Sequence, residues 1–316
     1  MKRLLITQTF ILLMAWPFSA SGAVRTGDVN SDGIVGISDV TYLIDFLINS
    51  NGQDVPVNGD VNLDGDINIG DVTSLIDLLF LSHQEETISV NGVTFTMVFV
   101  EGGTFTMGST PEQWPDHRRN ESPLHEVTLS SYYMAQTEVT QELWMAVMGY
   151  NPSAFVGDLQ RPVEMVSKFA CARFVDKLTE LTGKVFRLPT EAEWEFAARG
   201  GNKSRTYKYS GSNNVDDVAW YVANSDSITH AVATKIPNEL GIYDMSGNVL
   251  EWCQDWYYSY DYEPCVNPVG PESGYENIYR GGCWIFDASM CRNSYRDMFP
   301  PDSAFSFLGL RIVMNY

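Results

Sequence analysis

Hydrophobic residues recur with two different periods along this chain, and the change falls near residue 84. Before it, Val40–Leu47 and Val72–Leu79 repeat apolar residues at the spacing of an amphipathic helix. After it, apolar side chains occupy every second position from Val93 to Phe99, and the threonines between them are polar. That alternation predicts a half-buried strand. The pattern therefore predicts helices in the first part of the chain and strands in the second.

Local signals add further elements after residue 84. Asn91-Gly92 lies between two apolar runs and predicts a hairpin whose second strand ends at Val100. Gly102-Gly103 then predicts a turn into Thr104–Gly108 as a further hairpin partner. Three helices have readable N-terminal caps: Thr140 before Gln141–Met148, Ser167 before Lys168–Leu181, and Thr190 with Glu193 for Glu191–Arg199. Short strands and long loops beyond residue 200 indicate the α+β class.

The first part of the chain contains an internal repeat. Gly27–Gly33 returns as Gly59–Gly65, 32 residues later, and each copy continues into a predicted helix. Oxygen-bearing side chains stand at positions 1, 3, 5 and 12 of each loop, with glycine at position 6, which is the arrangement that holds calcium. The predicted ligands are Asp28, Asn30, Asp32, Asp39 and the carbonyl of Ile34 in the first loop, and Asp60, Asn62, Asp64, Asp71 and the carbonyl of Asp66 in the second, with Gly36 and Asn68 at the ninth position.

The charge of this segment supports cation binding. Residues 24–83 contain ten Asp and one Arg, and neither Glu nor Lys. So small a folded unit needs cations to offset that repulsion. The alternative is a pair of Asp-Gly turns without metal. Two matching copies of the whole pattern favour the calcium interpretation.

The repeat resembles the dockerin type I family. The likeness rests on Asp at the twelfth position, the duplication, and a single helix after each loop. It implies a small all-α calcium-binding module, a cohesin-type receptor and a setting of extracellular polysaccharide breakdown. The positions implied to contact the receptor are Ile37, Ser38, Thr41, Tyr42, Ile69, Gly70, Thr73 and Ser74. A calcium-stiffened spacer is the alternative.

Six segments of the second part resemble the sulfatase-modifying factor, or formylglycine-generating enzyme, family from Met97 to Tyr316. They are Phe105–Gly108, Glu138–Thr140, Phe186–Glu195, Ser246–Val249, Arg280–Gly282 and Leu308–Arg311. Their number and order make the match specific. The resemblance implies a C-type-lectin-like domain with little regular secondary structure.

The same resemblance raises the question of catalysis. In the oxidase members two cysteines five residues apart bind copper(I), a metal that thiolates favour. Here the first position falls on Phe286 and the second on Cys291. Only one copper thiolate therefore survives, which argues against oxidase activity. Cys283 paired with Cys291 is the alternative copper site. A structural disulfide between Cys253 and Cys291 is a different alternative for these thiols, and Cys171 is expected to be a buried apolar filler.

The family resemblance also implies an internal calcium site in the segment 243–251. Its ligands would be Asp244 and Glu251 through their side chains, with the carbonyls of Gly247 and Val249. Oxygen ligands of this kind suit calcium. The alternative is that Glu251 merely accepts backbone hydrogen bonds.

The first residues predict export. Basic Lys2 and Arg3 precede an apolar run over 10–18 and a small-residue stretch over 19–23, which together predict a signal peptide over 1–23. That run is shorter than the 20 or so residues that span a bilayer. The predicted domains are the dockerin-like module at 24–83 and the sulfatase-modifying-factor-like domain at 84–316. We expect an extracellular or cell-surface location, with the periplasm as the alternative.

Composition excludes several function classes. A net charge of −20 argues against binding nucleic acid and against insertion into anionic membranes. No zinc-protease or serine-hydrolase motif is present in the sequence.

Three functions remain open at this point. The first is a secreted, non-catalytic adaptor that docks through its repeats and presents its second domain to a protein or glycan ligand. The second is a divergent copper-dependent oxidase acting on a cysteine of sulfatase-type substrates. The third is an accessory component of an extracellular polysaccharide-degrading complex. Calcium is the expected cofactor, and copper is expected only for the oxidase.

Overall fold

A computed structural model describes residues 27–32, 35–49, 56, 58–62, 64–81 and 85–316, without the side chains of 77–81. Contacts divide the chain into two compact units, with the boundary between Leu81 and Ser82. The predicted signal peptide over 1–23 and the predicted ligand Ile34 lie outside the described residues. In the described part of the chain, no helix has the length and apolar character needed to cross a membrane.

The first unit contains two helices, α1 (Ile37–Asn49) and α2 (Ile69–Leu81). Both begin three residues before the apolar pattern indicated, because the tenth to twelfth loop positions already belong to the first helical turn. The helices pack on each other through a small apolar core of Val29, Val40, Leu43, Val72 and Leu75. This confirms a small all-α module.

The strands of residues 85–316 form three sheets. The largest has the order β1-β2-β5-β12-β6, the second β10-β9-β7-β11, and the third β3-β4-β8. The strands are β1 (Glu85–Val90), β2 (Val93–Val100), β3 (Gly103–Met107), β4 (His125–Leu129), β5 (Tyr132–Ala135), β6 (Phe186–Arg187), β7 (Leu250–Trp256), β8 (Cys265–Val266), β9 (Asn277–Arg280), β10 (Arg296–Phe299), β11 (Leu308–Gly309) and β12 (Val313–Asn315).

The predicted hairpin is confirmed, since β1 pairs antiparallel with β2 around Asn91-Gly92. Strand β2 is more buried than predicted, because its two faces contribute to two different cores. Met97 belongs to the core beneath α3 and α4, and Val98 with Val100 to the core around α5. A strand between two cores therefore loses the simple alternation of polar and apolar faces.

The prediction of a further hairpin partner for β2 is wrong. Strand β3 pairs with β4 in a separate sheet, while β2 pairs with β5. The backbone packs closely at Gly102, where a Cβ would lie 2.5 Å from the carbonyl oxygen of Leu129. The chain leaves the first sheet there and enters the third.

Three helices of the second unit begin at their predicted caps: α3 (Gln141–Met148), α4 (Lys168–Thr182) and α5 (Glu191–Ala198). The short helix α6 (Val215–Val218) was not predicted. The hydroxyls of Thr140 and Ser167 accept from the third backbone N–H of α3 and α4. Thr190 and Glu193 form the expected capping box of α5. The mixture of short strands, four helices and long loops confirms the α+β class.

Buried arginines connect the loops to this framework. Arg280, Arg292, Arg296 and Arg311 are fully buried, and each pairs with a fully buried glutamate. Arg280 also donates to the carbonyl oxygens of Asn293 and Tyr295, at 3.1 and 3.2 Å. Charge-assisted bonds of this kind hold the irregular backbone where apolar packing alone is non-directional.

Candidate functional site

The twelfth-position carboxylate organises each loop of the first unit. Asp39 is fully buried and accepts from the backbone N–H groups of Val29, Asn30 and Gly36 at 2.7, 3.0 and 2.8 Å. In the second loop Asp71 is also fully buried and accepts the equivalent three bonds. Both ends of each loop are thereby drawn around one carboxylate.

The other predicted side-chain ligands converge within each loop. Asn30 donates to Asp32 at 3.0 Å, and Asn62 donates to Asp64 at 2.9 Å. Asp60 accepts from the backbone N–H groups of Asp64 and Gly65. The side chains of these residues offer hard oxygen ligands at the spacing of a calcium loop, so the residues fit the ion. When bound, calcium supplies positive charge that fixes these oxygens around one point.

Hydrogen bonds also favour the ionised form of one ligand. The backbone N–H of Asp66 and the side chain of Asn62 lower the pKa of Asp64. Within the described residues, no three His, Cys, Asp or Glu side chains form a metal-binding group by themselves.

The positions implied to contact a receptor lie mostly on the surface. Ile37 and Ile69 are 77% and 71% exposed, and Tyr42 is 46% exposed. Ser38, Thr41 and Thr73 are also exposed, and Gly70 and Ser74 are half-buried. Large apolar side chains this exposed at the start of both helices form a surface suited to a partner.

The segment after β9 carries two buried thiols, Cys283 and Cys291. Cys291 ends the short 3₁₀ turn Ala288–Met290, and its Sγ packs on Gly282, where a Cβ would lie 2.7 Å away. Burial raises the pKa of Cys283 to about 12, and burial followed by the nearby Cys283 raises that of Cys291. Neither thiol therefore ionises readily near neutral pH.

The ring of Phe286 fills the place of the first family thiol. Phe286 is half-buried, and its ring lies 6.0 Å from that of Phe307 and 6.5 Å from that of Tyr295. Copper(I) requires soft thiolate ligands, and this segment offers one buried thiol at the family positions. The residues present do not fit the family copper site.

The five cysteines of the chain all lie in the described part and are free thiols. Cys253 lies on β7 in the core around α5, whereas Cys291 packs beside Tyr209 and α6. The disulfide considered between these two is therefore absent. Cys171 is fully buried in α4, as expected for an apolar filler.

The loop of Phe286 and the loops joined to it carry exposed apolar side chains, and we call this set the apolar collar. It consists of five exposed side chains: Val156 64%, Met165 40%, Val222 54%, Ile285 45% and Phe305 37%. Four loops supply these residues, so no periodic pattern in the sequence could have identified them.

Backbone and side-chain bonds join the four loops of the apolar collar. The N–H of Val222 donates to the carbonyl of Phe286 and that of Met165 to the carbonyl of Phe305, both at 3.0 Å. Buried Trp284 donates to the carbonyl of Ser306 at 2.9 Å and packs edge-on against Phe155. These contacts hold the loops that carry the collar together.

The predicted internal calcium ligands lie in a cluster of buried carboxylates. Glu251 accepts from Trp194 at 2.7 Å and from the guanidinium of Arg311 at 2.8–3.1 Å. Asp244 accepts from the backbone N–H of Ala233, and burial raises the pKa of Asp244 to about 6. These contacts involve side chains as well as backbone, unlike the alternative in which Glu251 accepts only backbone bonds.

Sequence reasoning missed Glu138 as a member of this cluster. Glu138 accepts from the backbone N–H of Val249 at 3.1 Å and from the side chain of Asn248 at 2.7 Å. Burial, and then the charges of Asp244 and Glu251, raise the pKa of Glu138. Burial is the larger effect at Glu138 and Asp244, and the charge of Arg311 opposes it. Carboxylate oxygens are ligands of the kind that calcium accepts. In the sequence, Glu138–Thr140 carries only the resemblance to the family.

Comparison with known families identifies both parts of the chain. A model of the sulfatase-modifying factor enzyme 1-like domain matches residues 85–316, and a model of the dockerin type I domain matches residues 26–80. Dockerin domains bind calcium and generally bind cohesin partners.

Individual relatives agree with the family match. The chain is 35% identical over 273 residues to the chaperone protein LppX of Paenibacillus barcinonensis, covering 71% of this chain and 90% of that protein. It is 31% identical over 267 residues to the serine/threonine-protein kinase pkn1 of Chlamydia pneumoniae, covering 75% of this chain but 40% of the kinase.

A solved structure supports the fold. Treponema denticola variable protein 1 superimposes with a TM-score of 0.67 at 33% identity, covering 73% of this chain and 99% of that one. The predicted C-type-lectin-like fold of the second domain is thereby confirmed. The chain belongs to the sulfatase-modifying factor family and carries a dockerin type I domain ahead of that family's domain.

Proposed function

We propose that this protein is a secreted, non-catalytic adaptor. The dockerin domain docks to a cohesin-type receptor when its loops hold calcium, and the second domain binds a ligand without converting it. The observation that carries this proposal is Phe286 in place of the first family thiol, above a fully buried Cys291. An oxidase needs two thiolates within reach of one copper ion, and an aromatic ring supplies none.

The chemistry of the apolar collar favours a protein ligand over a glycan. Sugar recognition uses exposed aromatic faces, but Trp284 is only 8% exposed and packs against Phe155. Four of the five collar side chains are aliphatic or Met, types that pack well against apolar protein side chains. The name of the Paenibacillus relative, a chaperone protein, agrees with binding to a polypeptide.

Charge around the apolar collar narrows the ligand class further. Exposed carboxylates lie on the same loops as the collar residues: Asp158, Asp226, Asp287 and Asp302. Complementary charge steers partners and selects among them. The ligand class that fits is a polypeptide segment with apolar side chains flanked by Lys or Arg.

Internal calcium has a structural role in this proposal. Asp244 and Glu251, with the carbonyls of Gly247 and Val249 and with Glu138 beside them, would hold the ion. The cation would offset the excess of buried negative charge next to Arg311. It belongs to the scaffold and takes no part in a reaction.

Anaerobic copper(I) titration followed by a cysteine-peptide oxidation assay tests the absence of catalysis. We expect no stoichiometric copper binding and no peptide aldehyde from the native protein, because Phe286 blocks the first thiolate position. Phe286→Cys is the matched variant, since it restores the family thiol and is expected to gain copper binding.

A specific result of the same experiment would contradict the absence of catalysis. One-to-one copper binding by the native protein, lost in Cys291→Ser and accompanied by aldehyde formation, would make the protein an oxidase that uses Cys283 with Cys291.

Peptide binding tests the apolar collar. We expect the protein to bind a fluorescent 15-residue peptide of alternating Leu and Lys more tightly than its Leu and Glu counterpart, as measured by anisotropy. Ile285→Asp should abolish that preference, and Val185→Asp, at a 64% exposed site between α4 and β6, should retain it. Equal binding of both peptides, or no effect of Ile285→Asp, would contradict the proposed ligand class.

A further inference from the structure

The two calcium loops differ at the ninth and eleventh positions, although their other side-chain ligands match. The first loop, residues 28–39, has Gly36 and Ser38 at these positions. The second loop, residues 60–71, has Asn68 and Gly70. Each loop thus pairs one small residue with one polar side chain, but in the opposite order.

Contacts in the second loop explain this pairing. The Oδ1 atom of Asn68 accepts from the backbone N–H of Gly70 at 2.6 Å. A Cβ at Gly70 would lie 2.9 Å from that oxygen and 3.2 Å from the side-chain nitrogen of Asn62. The missing side chain at the eleventh position therefore makes room for the Asn68 amide beside a third-position ligand.

The first loop has no counterpart to this amide. Among the described residues, a Cβ added at Gly36 would have Ser38 Oγ, at 3.8 Å, as its nearest contact. With glycine at its ninth position, the first loop has no side chain that could make this hydrogen bond. The ninth position of the second loop is therefore held more rigidly.

The second loop also carries more negative charge than the first. The seventh residue of the second loop is Asp66, where the first loop has Ile34. The second loop thus contains four carboxylates and the first loop three. Ligand charge and the rigidity of the loop are the two factors that set calcium affinity in sites of this type.

We propose that the second loop binds calcium about tenfold more tightly than the first and fills before it. Helix α2, with exposed Ile69 and Thr73, is then ordered for docking at calcium concentrations where α1 is not. The dockerin domain presents its receptor-binding surface in two stages. This inference rests on the calcium-dependent docking proposed above.

Hydrogen exchange of the full chain, followed by mass spectrometry across a calcium titration, tests the order of filling. We expect the amides of residues 69–81 to become protected at about tenfold lower calcium than those of residues 37–49. Coincident midpoints, or earlier protection of residues 37–49, would overturn the inference.

Reciprocal variants test the role of Asn68. Asn68→Gly should raise the calcium midpoint of residues 69–81 towards that of residues 37–49. Gly36→Asn combined with Ser38→Gly transfers the second-loop pair to the first loop and should lower the midpoint of residues 37–49. A midpoint unmoved by either change would overturn the assignment to Asn68.

The native titration also separates the two proposals. Protection of neither helix at millimolar calcium would remove the calcium-dependent docking itself. Protection of both helices at one midpoint would remove only the two-stage order.

Discussion

Glu191 connects two buried guanidinium groups at the centre of the second domain. It accepts from Arg296 at 2.6 and 2.8 Å and from Arg280 at 2.9 Å, and all three side chains are fully buried. These arginines lower the pKa of Glu191, against a burial effect that raises it. A buried ion pair of this kind is costly to break, because the remaining charge loses its partner.

Glu191→Gln should lower the free energy of unfolding by about 3–5 kcal/mol, because it leaves the guanidiniums short of one negative charge. Urea unfolding followed by tryptophan fluorescence measures the change. Glu180→Gln, at an exposed site on α4, is the matched control and should change stability by less than about 0.5 kcal/mol. Equal effects of both substitutions would show that the buried network does not stabilise the fold.

Asp255 predicts a pH dependence of stability. Burial, and then the charge of Glu191, raise the pKa of Asp255 to about 7, from an ordinary value of 3.8. The folded protein therefore keeps this proton at a pH where the unfolded chain has lost it. The free energy of unfolding should consequently decrease as the pH rises from about 4 to about 7 through this group.

Asp255→Asn should remove that contribution while keeping an oxygen that accepts from the backbone N–H of Glu191. We expect the variant to gain stability relative to the native protein between pH 4.5 and pH 8, measured by urea unfolding in saturating calcium. Asp176→Asn, on the exposed side of α4, should follow the native slope. The prediction fails if the Asp255 and Asp176 variants show the same slope.

Capping residues determine where the helices of the second domain begin. The hydroxyl of Ser167 accepts from the N–H of Ala170 at 3.2 Å, and Gly183 ends α4 in the left-handed conformation, at φ 72°. Ser167→Ala should lower the free energy of unfolding by about 1 kcal/mol, because the helix loses one satisfied N–H group. Thermal unfolding measures this loss of stability, with Ser259→Ala, at an exposed loop position, as the control. An unchanged Tm of Ser167→Ala would exclude a capping role.

Elements that depend on local chemistry could be predicted from the sequence. The caps at Thr140 and Ser167, the Asn91-Gly92 turn and the duplicated calcium loops each involve residues close together in the chain. The partner of β3 could not be predicted, because it depends on contacts that the third sheet makes with distant residues. The role of Glu138 was missed for the same reason, since Asn248 lies 110 residues away.

At the scale of the whole molecule, the two units differ in what stabilises them. The first has a small apolar core and an acidic surface, whereas the second has two large cores and buried ion pairs. A small domain with so little apolar burial depends on bound metal for its stability. The second unit has enough core to fold without the dockerin domain.

Chelation should therefore affect the two units differently. We expect EDTA to remove the helical ellipticity of α1 and α2, and calorimetry to retain a cooperative transition from the second unit. That transition should shift to a lower temperature if the cluster of Glu138, Asp244 and Glu251 loses its cation. A single unfolding transition that is unchanged by EDTA would contradict calcium binding in both units.

The four loops of the apolar collar are anchored by buried residues and display exposed ones. Trp284 and Glu164 are buried and bond to Ser306 and Phe155, whereas Ile285 and Met165 beside them are exposed. Substitution of an outward residue therefore leaves the anchor of its loop intact. Under the proposed function, a few codon changes at these positions would alter recognition while folding is preserved. A library randomised at the five collar positions would sample such altered recognition on an unchanged scaffold.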